Sequence, residues 1–133
     1  MNVAKNKKIV RAMFDAHKNL DLEGFLAPLA DDVKWYYMTL HPAMKDIRSK
    51  QQWREALEWG RSRTMDGIRM EVRSITGEGD LVCVEAVARA RQLGTGEEYA
   101  NMVAFFLVFQ DGKIIEGRQY NDTWHVDKII HQQ

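Results

Sequence analysis

The sequence predicts an α+β fold in which helices come first and a long antiparallel sheet follows. Apolar residues recur at helical spacing in the first part of the chain. In the second part, apolar and polar residues alternate in four runs separated by three short, glycine-bearing turns. Such runs form an antiparallel meander, and long strands must twist and curl to pack on helices. We therefore expect a cone-shaped barrel, with the N-terminal helices packed on a long curved sheet around a cavity.

Capping residues and apolar stripes define three predicted helices. Asp21 is the expected N-cap of a short second helix, which Pro28 should keep short or kinked. Ser49 is the expected N-cap of a third helix, with Trp53 on its buried side. The stripe of the first helix consists of Ile9, Val10, Met13, Phe14 and His17.

The predicted strands follow from period-two alternation. An early strand over residues 33–38 places Val33, Trp35 and Tyr37 on one face. The later strands are expected over residues 68–75, 81–92 and 98–110, and from residue 113 onward. Runs of this length are expected to contain bulges.

Composition narrows the class of protein. The 133 residues are expected to form a single domain, residues 1–133. Lysine plus arginine equals aspartate plus glutamate at 19 each, which argues against a nucleic-acid partner. No segment resembles a membrane span or a secretory signal, and the one cysteine, Cys83, excludes an internal disulfide. We expect a cytoplasmic protein that does not contact membranes.

The last predicted strand has an unusual polar face. It follows Asp111-Gly112, a strong hairpin signal. Strand parity then places Glu116, Arg118, Tyr120 and Asp122 on one side. Because burying such groups without partners is costly, this face lies either in water or along a polar pocket.

These elements, in this order, resemble the SnoaL-like branch of the NTF2-like (ketosteroid-isomerase-like) superfamily over nearly the whole chain. Four places carry the resemblance: residues 29–35, His41-Pro42 with residues 49–57, Tyr99-Ala100-Asn101, and residues 111–123. The resemblance implies a cone-shaped barrel with an apolar pocket that holds a few polar groups, and a homodimer formed through the outer sheet face. Members include isomerases, polyketide cyclases, epoxide hydrolases and proteins without a catalytic role.

The resemblance also bears on the catalytic residues. Asp122 matches a recurrent acid/base position near the end of the last strand. The epoxide-hydrolase pattern requires Arg-x-Asp on an earlier strand, where this chain has Ala86-Val87-Ala88 after Glu85. The aspartate and tyrosine of the ketosteroid isomerases are not reproduced either, since the corresponding regions offer Trp35, Tyr37 and His17.

Asp122, Tyr120 and Arg118 are the predicted catalytic residues. Partial burial favours the neutral form of a carboxyl group, which suits Asp122 to general acid/base work. Tyr120 would donate a hydrogen bond, and Arg118 would hold Asp122 ionised or pair with Glu116. The alternatives are an exposed strand-end aspartate and a structural ladder of ion pairs on the sheet surface.

Seven further residues are predicted to bind the ligand. Glu85 interrupts an apolar run, and it either pairs with Arg118 as a second pocket acid or faces solvent. Asn101 either orients a ligand or ties down a strand end. The other five are Trp35, Tyr37, His17 and Trp124, each with packing as the alternative, and His41, which would gate the entrance from its loop.

No motif indicates a metal or another cofactor. His17, His41, His125 and His131 lack metal-ligand spacing, and neither a phosphate loop nor a dinucleotide fingerprint is present. The leading hypothesis is a cofactor-free acid/base enzyme of the isomerase, cyclase or hydrolase type, acting on an apolar, oxygen-bearing small molecule. The alternatives are a non-catalytic ligand-binding or dimeric assembly module and, more weakly, an epoxide hydrolase.

Overall fold

The computed structural model describes residues 2–42 and 47–124 and confirms the α+β fold. His125 and His131 lie outside the described residues. None of the described helices is long and apolar enough to cross a membrane. The helices are α1 (Val3–Lys18), α2 (Leu22–Leu26) and α3 (Lys50–Ser62). The strands are β1 (Leu29–Tyr37), β2 (Ile47–Arg48), β3 (Arg69–Glu78), β4 (Leu81–Arg91), β5 (Glu98–Gln110) and β6 (Lys113–Asn121).

All six strands form one sheet in the order β2-β1-β6-β5-β4-β3. The predicted meander is confirmed, because β3, β4, β5 and β6 pair antiparallel with their sequence neighbours. β1 begins earlier than predicted, at Leu29, and pairs parallel with β6. The first strand therefore extends the meander beyond its last strand and makes the sheet mixed.

Both predicted caps are present. The Asp21 carboxylate accepts a hydrogen bond from the Gly24 N–H at 3.0 Å. Ser49 and Gln52 form a reciprocal capping box at the start of α3. These local contacts fix where α2 and α3 begin.

The core lies between α1, α2, α3 and one face of the sheet. The ring of Phe14 on α1 lies 5.2 Å from that of Phe105 on β5. Trp35 on β1 is fully buried, and its ring lies 4.9 Å from that of Trp53 on α3. Trp35 pairs across the sheet with Gly117, which has no side chain to occupy the space that the indole fills.

A β-bulge in β6 decides which residues face this core. Val108 pairs with Glu116, whereas the next residue of β5, Phe109, pairs with Ile114. Ile115 is therefore an extra residue, and the inward-facing positions change parity across it. Ile114 is buried before the bulge, and Gly117 and Gln119 are buried after it. The face carrying Glu116, Arg118 and Tyr120 is thus the outer one.

Candidate functional site

A cavity of about 280 Å³ lies between the helices and the inner face of the sheet. Much of its wall is apolar, with Phe25 from α2, Trp53 from α3, Ile68 just before β3 and Met70 within β3. The cavity lies where the helices diverge from the curved sheet, so its walls come from elements that are distant in sequence. Its size and apolar walls suit a small organic molecule.

Polar side chains of β6 line the cavity on the side formed by the sheet. The Nε1 of Trp35 donates to the Oε1 of Gln119 at 2.9 Å, and this bond is buried. The Nε2 of Gln119 in turn donates to the Oδ1 of Asn121 at 2.9 Å. Gln119 and Asn121 both line the cavity. We call this series the indole relay: Trp35, Gln119, Asn121.

A second series of hydrogen bonds holds Tyr99, which also lines the cavity. The side chain of Asn101 accepts from the Asp122 N–H at 3.0 Å and donates to the Asp122 carbonyl at 3.3 Å. The same amide donates to the Tyr99 hydroxyl at 2.8 Å. We call this series the main-chain relay: Asp122 backbone, Asn101, Tyr99.

The phenol of Tyr99 is kept protonated. Its pKa is raised chiefly by burial, with a further increase from the negative charge of Asp122. The hydrogen bond from Asn101 acts in the opposite direction and is outweighed. Since the Tyr99 oxygen accepts from Asn101, its own O–H proton is available to donate to a ligand.

The helix side of the cavity includes a buried imidazole. His17 is only 6% exposed, and its ring lies 5.0 Å from that of Phe25. Within the described residues, its Nδ1 has no hydrogen-bond partner. Burial lowers the pKa of His17 from 6.5 to about 4, so the imidazole is neutral at pH 7.

A guanidinium group also lines the cavity. The Cζ of Arg48 lies 4.6 Å from the ring centroid of Tyr37 and 5.3 Å from that of Trp53. Both distances are within the range of cation–π attraction, which orients Arg48 against the two rings. Trp53 Nε1 is buried and has no partner within the described part of the chain.

A family profile for the SnoaL-like domain matches residues 10–117, which include α2, α3, more than half of α1 and most of the sheet. The chain belongs to the SnoaL-like domain family. A comparison with curated proteins finds no match.

Solved structures with the same fold share little sequence identity with this SnoaL-like domain. AclR from Streptomyces galilaeus, a proposed hydroxylase, has a TM-score of 0.82 at 22% identity, covering 99% of both chains. An LEH-like epoxide hydrolase from M. tuberculosis has a TM-score of 0.76 at 21% identity, covering 95% of this chain and 89% of that one. IdmH from Streptomyces antibioticus, a proposed polyketide cyclase, has a TM-score of 0.75 at 20% identity, covering 95% of this chain and 98% of that one. These likenesses establish the NTF2-like fold.

Two of the predicted ligand-binding residues, His17 and Tyr37, line the cavity. Trp35 and Asn101 are buried behind its wall, where they hold Gln119 and Tyr99 through the two relays. Asn101 thus ties down a strand end, one of the two roles considered for it. Both residues act on the cavity through other side chains.

The predicted inward orientation of Arg118 and Tyr120 is wrong. Arg118 pairs with Glu116 at 2.5 Å, and Tyr120 packs edge-on against Phe106 and is 42% exposed. Glu85 is also exposed on the outer face, with the Ser74 hydroxyl 3.4 Å from its carboxylate. The bulge at Ile115 is the reason that Arg118 and Tyr120 lie on the outer face. The Glu85–Arg118 pair on which the epoxide-hydrolase hypothesis depended is absent among the described ion pairs.

The remaining predicted residues also lie outside the cavity lining. Asp122 follows the last residue of β6 and is exposed, with its carboxylate accepting from the Trp124 N–H at 3.1 Å. Trp124 is 61% exposed. His41 is half-buried in the loop after β1, where its N–H donates to the Thr39 hydroxyl at 3.0 Å. Asp122 therefore contributes to the site through its backbone and its charge.

The sequence-based interpretation missed Tyr99, Arg48, Gln119 and Asn121. Gln119 and Asn121 lie on the opposite face of β6 from the predicted catalytic residues. Allowing for a bulge in this strand would have identified them. No local signal marks Arg48, which reaches the cavity from the short edge strand β2. Across residues 2–42 and 47–124, no group of three or more histidine, cysteine or acidic side chains is placed to hold a metal ion.

Proposed function

We propose that this SnoaL-like domain binds an apolar small molecule with a carbonyl oxygen and catalyses cofactor-free proton transfer on it. The supporting observation is that a protonated phenol, Tyr99, and a neutral imidazole, His17, line one largely apolar cavity. A hydrogen-bond donor and a proton acceptor in a cavity of low polarity are the two groups that enolisation of a ketone requires.

Tyr99 and His17 have different roles in this proposal. The Tyr99 O–H donates to the ligand oxygen, where negative charge develops as a proton leaves the neighbouring carbon. The His17 imidazole accepts that proton, which it can do because burial keeps it neutral at pH 7. Isomerisation and aldol-type cyclisation of carbonyl compounds can each begin with such a transfer, so the reaction type depends on the ligand.

Exchange of α-hydrogens tests this proposal without knowledge of the natural substrate. We expect the protein to accelerate deuterium incorporation into 2-tetralone in D₂O, followed by NMR. Tyr99→Phe should slow the catalysed rate by about 100-fold, because one preorganised donor to a developing oxyanion has about that effect. The rate should rise with pH through about 4 and then level off as His17 loses its proton.

Two matched variants make the exchange result specific. Tyr120→Phe removes a phenol from the outer face and should leave the rate unchanged. Asp122→Asn retains both backbone bonds to Asn101 and should change the rate less than about threefold, an effect smaller than one neutral hydrogen bond commonly contributes. A complete loss of exchange in Asp122→Asn would instead support this residue as the acid/base group.

A non-catalytic binding module is the second candidate, and the position of Asp122 favours it. The acid at the recurrent catalytic position of the family is exposed and outside the cavity lining. Ligand-dependent stabilisation of the fold without any catalysed exchange would support this module and contradict the enzyme.

We also propose that the protein forms a homodimer through the outer face of the sheet. Met102, which is 74% exposed, and Tyr120 lie on this face beside the half-buried Phe106. Met102→Lys should shift the mass measured by light scattering from dimer to monomer, because it places a charge within the apolar contact. Leu93→Lys, in the turn after β4, should remain a dimer. A monomeric wild type, or a dimeric Met102→Lys, would contradict this interface.

A further inference from the structure

The indole relay determines whether the oxygen or the NH₂ group of the Asn121 amide is directed toward the cavity. An indole N–H can only donate, so the amide oxygen of Gln119 must face Trp35. The Gln119 NH₂ group must then donate to Asn121, whose oxygen accepts at 2.9 Å. The Asn121 NH₂ group therefore points away from Gln119, and none of the described hydrogen bonds of Asn121 involves this group. The orientations of the Gln119 and Asn121 amides therefore both follow from the Trp35 N–H, which can act only as a donor.

In the main-chain relay, the orientation of the Asn101 amide is fixed by the same reasoning. A backbone N–H can only donate, so the Asn101 oxygen faces Asp122 and its NH₂ group faces the Tyr99 hydroxyl. The Tyr99 O–H proton is consequently directed away from Asn101. Asn121 immediately precedes Asp122 in the chain, so the end of the indole relay adjoins the start of the main-chain relay, and Asn121 and Tyr99 both line the cavity.

We propose that Asn121 is a specificity-determining residue that, together with Tyr99, selects ketones and their enolates over ligands without an acceptor oxygen. This inference rests on the proposed function for the class of ligand and adds the residue that rejects compounds outside that class. Trp35 and Gln119 are positioning residues, because they set the polarity of Asn121 and because both ends of the Gln119 amide are already hydrogen-bonded.

The discrimination follows from the cost of leaving donors unpaired. An acceptor oxygen satisfies the Asn121 and Tyr99 donors, whereas a hydrocarbon group of the same shape leaves both without a partner in a largely apolar cavity. Sites built to hydrogen-bond a substrate group reject analogues that lack it for this reason. Tyr99 alone would supply one donor, and the fixed NH₂ group of Asn121 supplies the second.

A matched pair of probes tests this inference. The ketone 2-acetylnaphthalene and the alkene 2-isopropenylnaphthalene differ by replacement of the carbonyl oxygen with CH₂, so the ratio of their dissociation constants reports the polar contact. We expect wild type to favour the ketone and Asn121→Leu to reduce that preference by about tenfold, the usual effect of one hydrogen bond. Calorimetry or quenching of tryptophan fluorescence gives both constants.

Further variants separate polarity from packing. Asn121→Asp still accepts from Gln119 but presents oxygen to the cavity, so it should lose the preference for the ketone with little change in shape. Trp35→Phe, which removes the fixed donor, should lower the preference by about threefold, because the Gln119 amide can then rotate. Tyr120→Phe should retain the wild-type ratio.

The outcomes that overturn the inference are distinct from those that overturn the proposed function. An unchanged ratio in both Asn121→Leu and Asn121→Asp, or a wild type that binds neither probe, overturns the role of Asn121. Loss of selectivity in these variants together with no catalysed exchange by wild type overturns the catalytic proposal and leaves the donor role intact. Catalysed exchange with an unchanged ratio overturns only the inference about Asn121.

Discussion

The free energy of unfolding should fall by about 3 kcal/mol, through His17 alone, when the pH is lowered from neutral to well below 4. The folded protein holds His17 with a pKa of about 4, whereas the unfolded chain has the ordinary value of 6.5. Between these values the unfolded state binds more protons, so stability rises with pH. The contribution of neutral His17 is therefore complete above pH 6.5 and is lost as the pH falls through about 4.

Urea denaturation of wild type and His17→Leu at several pH values measures this effect. The stability of wild type relative to His17→Leu should decline by the full amount across the window, because the variant has no imidazole to protonate. Met13→Leu changes another buried residue of α1 without removing a titrating group, so its difference from wild type should not depend on pH. A constant difference between wild type and His17→Leu would show that His17 is not buried in its neutral form.

Gly117→Ala should destabilise the fold by about 3 kcal/mol, at the upper end of the cost of overpacking a core. A Cβ at this position would lie 2.3 Å from the Cε3 of Trp35, far inside van der Waals contact. The indole cannot simply withdraw, because Trp53 packs edge-on against it at 4.9 Å and Gln119 accepts its N–H. The midpoint and slope of a urea transition provide the measurement.

A double-mutant cycle with Trp35→Leu identifies the cause. Trp35→Leu removes the ring that the new methyl group would meet, so adding Gly117→Ala to it should cost less than about 1 kcal/mol. If Gly117→Ala is equally costly with and without the indole, the loss comes from the strand backbone instead.

The sequence was a good guide to features that depend on nearby residues. Asp21 and Ser49 were identified as caps because their partners lie three residues away. The stripe ending in His17 and the alternation that placed Trp35 and Tyr37 on the inner face follow from a constant helical or strand period. The mixed sheet was not predicted, since no local pattern specifies that β1 pairs parallel with β6.

The candidate site was predicted less well because it depends on register. Alternation along the last strand assigns residues to the correct face only while the pairing is regular. The extra residue Ile115 reverses this assignment for the residues after it. The two relays also join residues far apart in the chain, such as Trp35 and Gln119. Their polarity can be deduced only when both ends of each hydrogen bond are known.

The bulge at Ile115 gives this domain two alternative sets of chemical groups on one strand. In the present register a glycine, a glutamine and an asparagine face the inner side of the sheet, while an acid, a base and a phenol face outward. Regular pairing of β6 with β5, without the bulge, would exchange these sets without altering any side chain. Gain or loss of a bulge on this strand thus offers divergent relatives a route to new site chemistry and a new association surface in a single genetic event.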